Sequence, residues 1–381
     1  MKALLSTLAL CACMTLTGCG QKTSDHGAET VKIGLAAPLT GPQAQLGQDM
    51  ANGAKLALDE INAGHPQLGG RAVTFKLLSE DDQADPKTAT NVAQRLVDDG
   101  VVAVIGHMNS GTTIPASRIY YQAGVAQVSP SATAVKYTHQ GFDTAFRVMA
   151  NDAQQGAVLG DFAVQTLTAR RIAVIDDRTA YGQGLADQFE QTVKSLGADV
   201  VDREYTTDHS TDFMAILTNI KAKKPDLVFF GGMDPQAGPM IRQMRQLGVT
   251  AKFLGGDGVR TPQFITLAGP DAEGAYASTP GLPIAKMPKG PEFQAKFTAK
   301  YGPIQQYAPY AYDAAYVLVN AMEKAGSAEP KEFLPALRQT DYQGVTGPIR
   351  FDAKGDLTQG SITLYQVQNG AWAPLQTVQS R

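Results

Sequence analysis

The chain has 381 residues, enough for about two domains of ordinary size. Hydrophobic residues make up 43% and charged residues 18%, so it can bury a core and is not disordered by composition. Lys and Arg number 33 against 36 Asp and Glu, and the resulting net charge of −3 argues against a partner bound by phosphate neutralisation; no nucleic acid is expected.

Lys2 precedes an apolar run from Ala3 to Leu16. As a helix that run is about 21 Å long, short of a ~30 Å hydrocarbon core, so it reads as the apolar region of a signal peptide. Leu16-Thr17-Gly18-Cys19 closes it and resembles the bacterial lipobox, in which the Cys is diacylated and becomes the mature N-terminus. The alternative is an ordinary secretory signal with a Cys at its cleavage site. The expectation is a lipoprotein signal peptide over 1–18, lipidation at Cys19 and a polar tether over 19–30. The protein is then exported, to the periplasm or the cell surface, and anchored to a membrane. All three cysteines, Cys11, Cys13 and Cys19, lie in this segment, so the body offers neither a disulfide nor a Cys-based metal site.

From Val31 the chain alternates strand and helix. Val31–Ala36 is a strand that runs into the turn Pro38–Pro42, followed by a helical repeat of Leu46, Met50, Ala54, Leu56, Ala57 and Ile61. Val73–Leu78 is a second strand. Asp85 caps a helix with Pro86 at its first position. Val101–Ile105, a helix after Thr112, and Val125–Val128 follow. The series restarts with a helix over 155–166 and a strand at Arg171–Ile175. Helices over 182–196, 212–222 and 235–247 then alternate with strands at 199–205, 227–230 and 252–254. Helices near 291–300, 307–325 and 331–338 precede a β-rich tail at 349–351 and 362–367. This alternation predicts an α/β fold: two similar lobes, each a doubly wound parallel sheet covered on both faces. The lobes are expected to comprise 31–150 with 281–345, and 151–280 with 346–381.

Catalytic and cofactor motifs are absent: no H-E-x-x-H, no G-x-x-x-x-G-K-[ST], no G-x-S-x-G. His26, His65, His107, His139 and His209 have no metal-ligand spacing. Tyr181-Gly182-Gln183-Gly184 begins like a dinucleotide loop but lacks the third Gly. Asp81-Asp82 and Asp176-Asp177 end strands, where a turn with a helix cap is the plainer reading than a metal or acid–base pair. Lys221–Lys224 reads as a solvated helix end.

An ordered set of segments resembles the periplasmic leucine/isoleucine/valine-binding proteins, the receptors of branched-chain amino-acid ABC importers. The set comprises Val31–Gly34 with Leu39–Pro42, Gly53–Asn62, Asp81-Asp82 with Asp85–Lys87, Val104–His107 with Pro115–Ser117, Ser129–Ala134, Tyr181–Gly184, Gly231-Gly232, and Gly347-Pro348 with Asp352–Leu357. It covers essentially the whole chain after the tether. The resemblance implies the type I periplasmic binding protein fold: two lobes joined by a three-crossover hinge that closes on a ligand. It also implies a monomer with no cofactor and no metal, which hands a free amino acid to ABC permease and ATPase subunits.

The resemblance also places a zwitterion clamp. Ser110 matches the family Ser that binds the carboxylate; on its own residues it reads as a helix N-cap. Thr133, in the turn with Ser131 and Ala132, matches the family Thr that touches carboxylate and ammonium, and the Ser131 carbonyl matches an ammonium acceptor. Asp257 stands where the family commonly has Glu to pair with the ammonium; by itself it reads as a turn residue. Tyr181 matches a Tyr that closes over the ligand. Asn109, Leu46, Met233 and Tyr307 match the side-chain pocket, where Leu46 and Met233 replace aromatics and Asn109 replaces a Cys. Branched-chain amino acids are the expected ligands. Two other classes fit the sequence less well: a ligand-binding sensor subunit, and an exported metal enzyme built on the strand-end aspartates.

Overall fold

The computed structural model describes residues 28–380; the expected signal peptide, Cys19 and most of the expected tether lie outside them. The first lobe opens with β1 (Glu29–Ala37), α1 (Ala44–Ala63), the short β2 (Gln67–Leu68), β3 (Arg71–Asp81) and α2 (Pro86–Asp98). It continues with β4 (Ala103–Gly106), α3 (Ser110–Ala123), β5 (Ala126–Ser129) and β6 (Ala145–Arg147). The second lobe carries α4 (Asp152–Asp161), β7 (Arg171–Asp176), α5 (Ala180–Ser195), β8 (Asp199–Tyr205) and α6 (Met214–Lys223). Then come β9 (Leu227–Gly231), α7 (Asp234–Gln246), β10 (Lys252–Gly255), α8 (Pro262–Ala268) and β11 (Tyr276–Pro280). The rest is α9 (Gly290–Tyr301), α10 (Ala308–Ala325), α11 (Pro330–Arg338), β12 (Tyr342–Gln343), β13 (Pro348–Ile349), β14 (Gly360–Gln368) and β15 (Ala371–Ser380).

The sheet orders reveal a repeat. The first sheet runs β2-β3-β1-β4-β5-β6 and the second β15-β14-β11-β10-β9-β7-β8. In each, the first long strand lies between the second and the third, and the central pairs are parallel. Such strands are covered by helices on both faces, so β9 is buried from end to end. α10 returns to pack against α1 in the first lobe, and β14 then pairs antiparallel with β11 in the second. The chain therefore passes between lobes after β6, after β11 and before β14.

Several boundaries differ from the sequence reading. β1 starts at Glu29, two residues inside the expected tether. α3 starts at Ser110 with Asn109 as its N-cap residue, so the helix begins earlier than Thr112 and Ser110 is not the cap. The helix expected over 155–166 is α4 followed by one wider turn, Phe162–Thr166. β6, α8, β11 and β15 had no clear local pattern. β15 carries Pro374 opposite Tyr365, where the β14–β15 register shifts; Pro is tolerated on such an edge strand.

A buried cation ties the returning chain to the first lobe. Arg147, at the end of β6, is fully buried. Its guanidinium donates to Asp356 Oδ1 at 2.6 and 2.9 Å, to the carbonyls of Ala132 (2.7 Å) and Ala134 (3.0 Å), and to Thr138 Oγ1 (2.8 Å). Burial works against the Asp356 charge, but Arg147 and the hydrogen bonds outweigh it, so this carboxyl lies below its usual range. The same guanidinium thereby holds the Ala132–Ala134 turn.

Candidate functional site

The carboxyl ends of both sheets meet between the lobes, where ligands of open α/β sheets bind. The first lobe brings Met108–Ser110 from the end of β4 and Ser131–Thr133 from the end of β5. The second brings Tyr181 on α5, Met233 after β9 and Asp257 after β10. One cavity of about 20 Å³ is lined by Met108, Asn109, Ser110, Ser131, Tyr181, Met233, Asp257 and Tyr307. Seven of these are residues singled out from sequence. Ala132, Thr133 and Leu46 do not line it: all three are buried, the first two in the neighbouring turn and Leu46 on α1.

Asp257 is the electrostatic centre. It is 1% exposed and, among the described residues, forms no salt bridge. Tyr181 Oη donates to its Oδ1 at 2.9 Å, Tyr307 Oη to its Oδ2 at 2.9 Å, and Gln155 Nε2 to Oδ1 at 3.1 Å. Burial raises its pKa even against these three donors. Burial, and then the Asp257 charge, push both phenols well above their ordinary values, so they remain protonated donors.

A second carboxylate was missed by sequence reasoning. Asp152, at the first position of α4, is fully buried and neither of its oxygens has a partner among the described residues. Its backbone N–H donates to the Thr133 carbonyl at 2.8 Å, and the Thr133 hydroxyl, which tempers the Asp152 shift, also has no hydrogen-bond partner among the described residues. Burial, then the charge of Asp257, push the Asp152 carboxyl up to about 8. The available signal was Asn151-Asp152, a cap followed by an acid in the first turn, which reads as ordinary helix chemistry.

The residues expected to form the clamp are held by their neighbours. Ser110 Oγ accepts from Ala134 N at 3.1 Å, joining the α3 N-terminus to the Thr133 turn. Ser131 Oγ donates to the Met108 carbonyl at 2.9 Å. Asn109 Nδ2 donates to Gln43 Oε1 at 2.7 Å, reaching another loop and not its own turn, while its Oδ1 is buried without a partner among the described residues. Asp49 is buried on α1 and accepts four backbone N–H groups, from Gln305 (2.8 Å), Gln306 (3.0 Å), Tyr307 (2.7 Å) and Ala308 (2.8 Å). It fixes the loop that aims Tyr307. In Asp49→Asn an amide NH₂ replaces one acceptor and faces an N–H donor. The expected cost is about 2 kcal/mol of stability with several-fold weaker ligand binding, read by thermal unfolding and calorimetry.

α5 places Tyr181 through its cap and a close approach. Thr179 Oγ1 accepts from Gly182 N at 2.9 Å. A Cβ on Gly182 would collide with Asp177 and the Gly231 carbonyl, so the glycine serves helix–strand packing and not a dinucleotide. Thr179→Ala should cost about 1 kcal/mol, seen as a lower urea midpoint at unchanged slope.

The strand-end aspartates are occupied with turns and caps. Asp81 accepts from Leu39 N and Thr40 Oγ1, and Asp177 from Thr179 N and Oγ1. Asp176 pairs with Arg203, and Asp82 pairs with His107 Nδ1 at 2.7 Å. Lys221–Lys224 are all exposed at the end of α6.

A family model described as "Periplasmic binding protein" matches residues 30–371. A leucine-, isoleucine-, valine-, threonine- and alanine-binding protein of Pseudomonas aeruginosa is 37% identical over 341 residues, 89% of this chain and 90% of that protein. The crystal structure of a leucine-binding protein, LivK, from Thermotoga maritima superposes with a TM-score of 0.85 at 30% identity, covering 91% of this chain and 98% of the other. The branched-chain amino-acid transporter substrate-binding protein LivJ from Streptococcus pneumoniae, solved with isoleucine, gives 0.84 at 29% identity, covering 92% and 100%.

Proposed function

The chain belongs to the branched-chain amino-acid periplasmic binding protein family, and on that premise we propose that it captures a free amino acid between its lobes and delivers it to an ABC permease. The observation that carries the reading is Asp257: a buried carboxylate without a cation, facing Ser110 and the α3 N-terminus across one cavity. In this reading the ligand ammonium pairs with Asp257 and with the carbonyl of Ser131. Its carboxylate meets Ser110, Thr133 and the N–H groups of α3, where the helix dipole favours an anion. Met233 and Tyr307 face the apolar side chain, and Asn109 borders it.

The lobes are 31–150 with 281–345, and 151–280 with 346–381, and closure about the three crossovers presents the liganded form to the permease. The 20 Å³ cavity is about the size of one water, so the lobes must part to admit an amino acid. The protein works as an extracytoplasmic monomer, lipid-anchored at Cys19, and performs no covalent chemistry.

The test is calorimetry on refolded, ligand-free protein with a panel of L-amino acids. Micromolar binding of Leu, Ile or Val is expected. A panel without binding overturns the reading.

A further inference from the structure

We propose that the protein carries a second ligand site, separate from the amino-acid clamp, that takes a small carboxylate with an apolar body and no ammonium group. The site is a cavity of about 250 Å³ between the lobes. It is larger than the ~150 Å³ that accommodates benzene in a protein interior. It shares only Tyr307 with the clamp cavity.

Its chemistry is set by Arg260. The guanidinium carbon lies 4.6 Å from the centroid of the Tyr365 ring. Among the described residues Arg260 forms no salt bridge and no side-chain hydrogen bond, and its buried Nε has no partner. The lining contains no Asp, Glu or Lys. One guanidinium fork, already stacked on an aromatic face, matches one carboxylate in bidentate geometry. An ammonium would find no counter-charge there, which separates this site from the clamp. Leu282, Ile284, Met287 and Ile304 supply the apolar wall for the body of the guest. Gln306 Oε1, buried and unpartnered, would accept from a hydroxyl on the guest.

The position couples the two sites. Arg260 lies on the second lobe and Gln306 on the first, and both donate to the Asp257 carbonyl, Arg260 N at 3.1 Å and Gln306 Nε2 at 3.1 Å. A guest that touches both lobes in this arrangement favours it over the parted one. By linkage it then tightens amino-acid binding, and the amino acid tightens the guest by the same factor.

The probe is phenylacetate, titrated calorimetrically into ligand-free full-length protein with and without saturating isoleucine. One equivalent is expected to bind in both cases, several-fold tighter with isoleucine present. Arg260→Leu should weaken phenylacetate at least tenfold, and Arg260→Lys, which keeps the charge but not the fork, should recover part of the loss. Asp257→Asn should still bind phenylacetate, so a failure of the amino-acid reading leaves this test intact. Competition between phenylacetate and isoleucine for one site overturns the proposal. So does binding that ignores Arg260→Leu in a protein of unchanged melting temperature, or no binding at millimolar probe.

Discussion

Asp257→Asn should reduce amino-acid affinity by a factor of 100 to 1000 while leaving the fold intact. The carboxylate is buried, and its three partners, Tyr181, Tyr307 and Gln155, are neutral donors. They satisfy hydrogen bonds but supply no positive charge, so the net negative charge stays uncompensated until a cation arrives. An asparagine of the same shape keeps an acceptor for one phenol and loses that charge. Truncating one partner of a buried, hydrogen-bonded charge pair typically costs about 2–5 kcal/mol, which brackets the expected loss of about 2.7–4.1 kcal/mol. The unliganded variant should be as stable as the parent or more so, because burial disfavours the Asp257 charge in the first place. Calorimetry gives the affinity, and thermal unfolding the stability. Retention of parental affinity would place the ammonium elsewhere.

The contrast between what was readable and what was hidden follows the range of the interactions. Strand–helix alternation is local, so both sheets and their duplication could be anticipated from apolar periodicity. Ser110, Ser131, Tyr181 and Asp257 were singled out through a resemblance carried by short ordered motifs, and the fold brings all four around one cavity. Asp152 was not, because its significance lies in what it lacks, and only the packing of Thr133 and α5 around it removes the water. Arg147 carries no local signal of its role. Its partner Asp356 is 209 residues away, and no window of sequence joins them. Asp49 likewise carries no local signal, because its four N–H donors come from a loop more than 250 residues later. Leu46 shows the converse: a pocket position carried over by resemblance that is fully buried on α1 and does not line the cavity.

Amino-acid binding should release a proton near neutral pH. Asp152 and Asp257 are buried carboxylates, and the Asp257 charge acts on Asp152, so their protonation is linked. Burial raises both, and the Asp257 charge adds to the rise at Asp152, which reaches about 8; the Thr133 hydroxyl and then the nearby Arg147 oppose this only in part. At pH 7 the unliganded pair therefore retains a proton that a carboxylate in water would have lost. An ammonium entering beside it favours the doubly ionised form and expels that proton. Affinity should then rise with pH, by at most tenfold per unit, and level off above about pH 8. The stability of the unliganded protein should move the other way. With the folded pKa raised above the unfolded value of about 3.9, the contribution is complete below pH 4 and is lost as pH climbs toward the folded value. Calorimetry at pH 7 in two buffers of different ionisation enthalpy should report between half and one proton released per ligand. Asp152→Asn should abolish most of the release and flatten the pH dependence of affinity. A parent protein that binds isoleucine with no proton release would show that the pair is already ionised, and that the Asp152 charge is balanced by something other than the ligand.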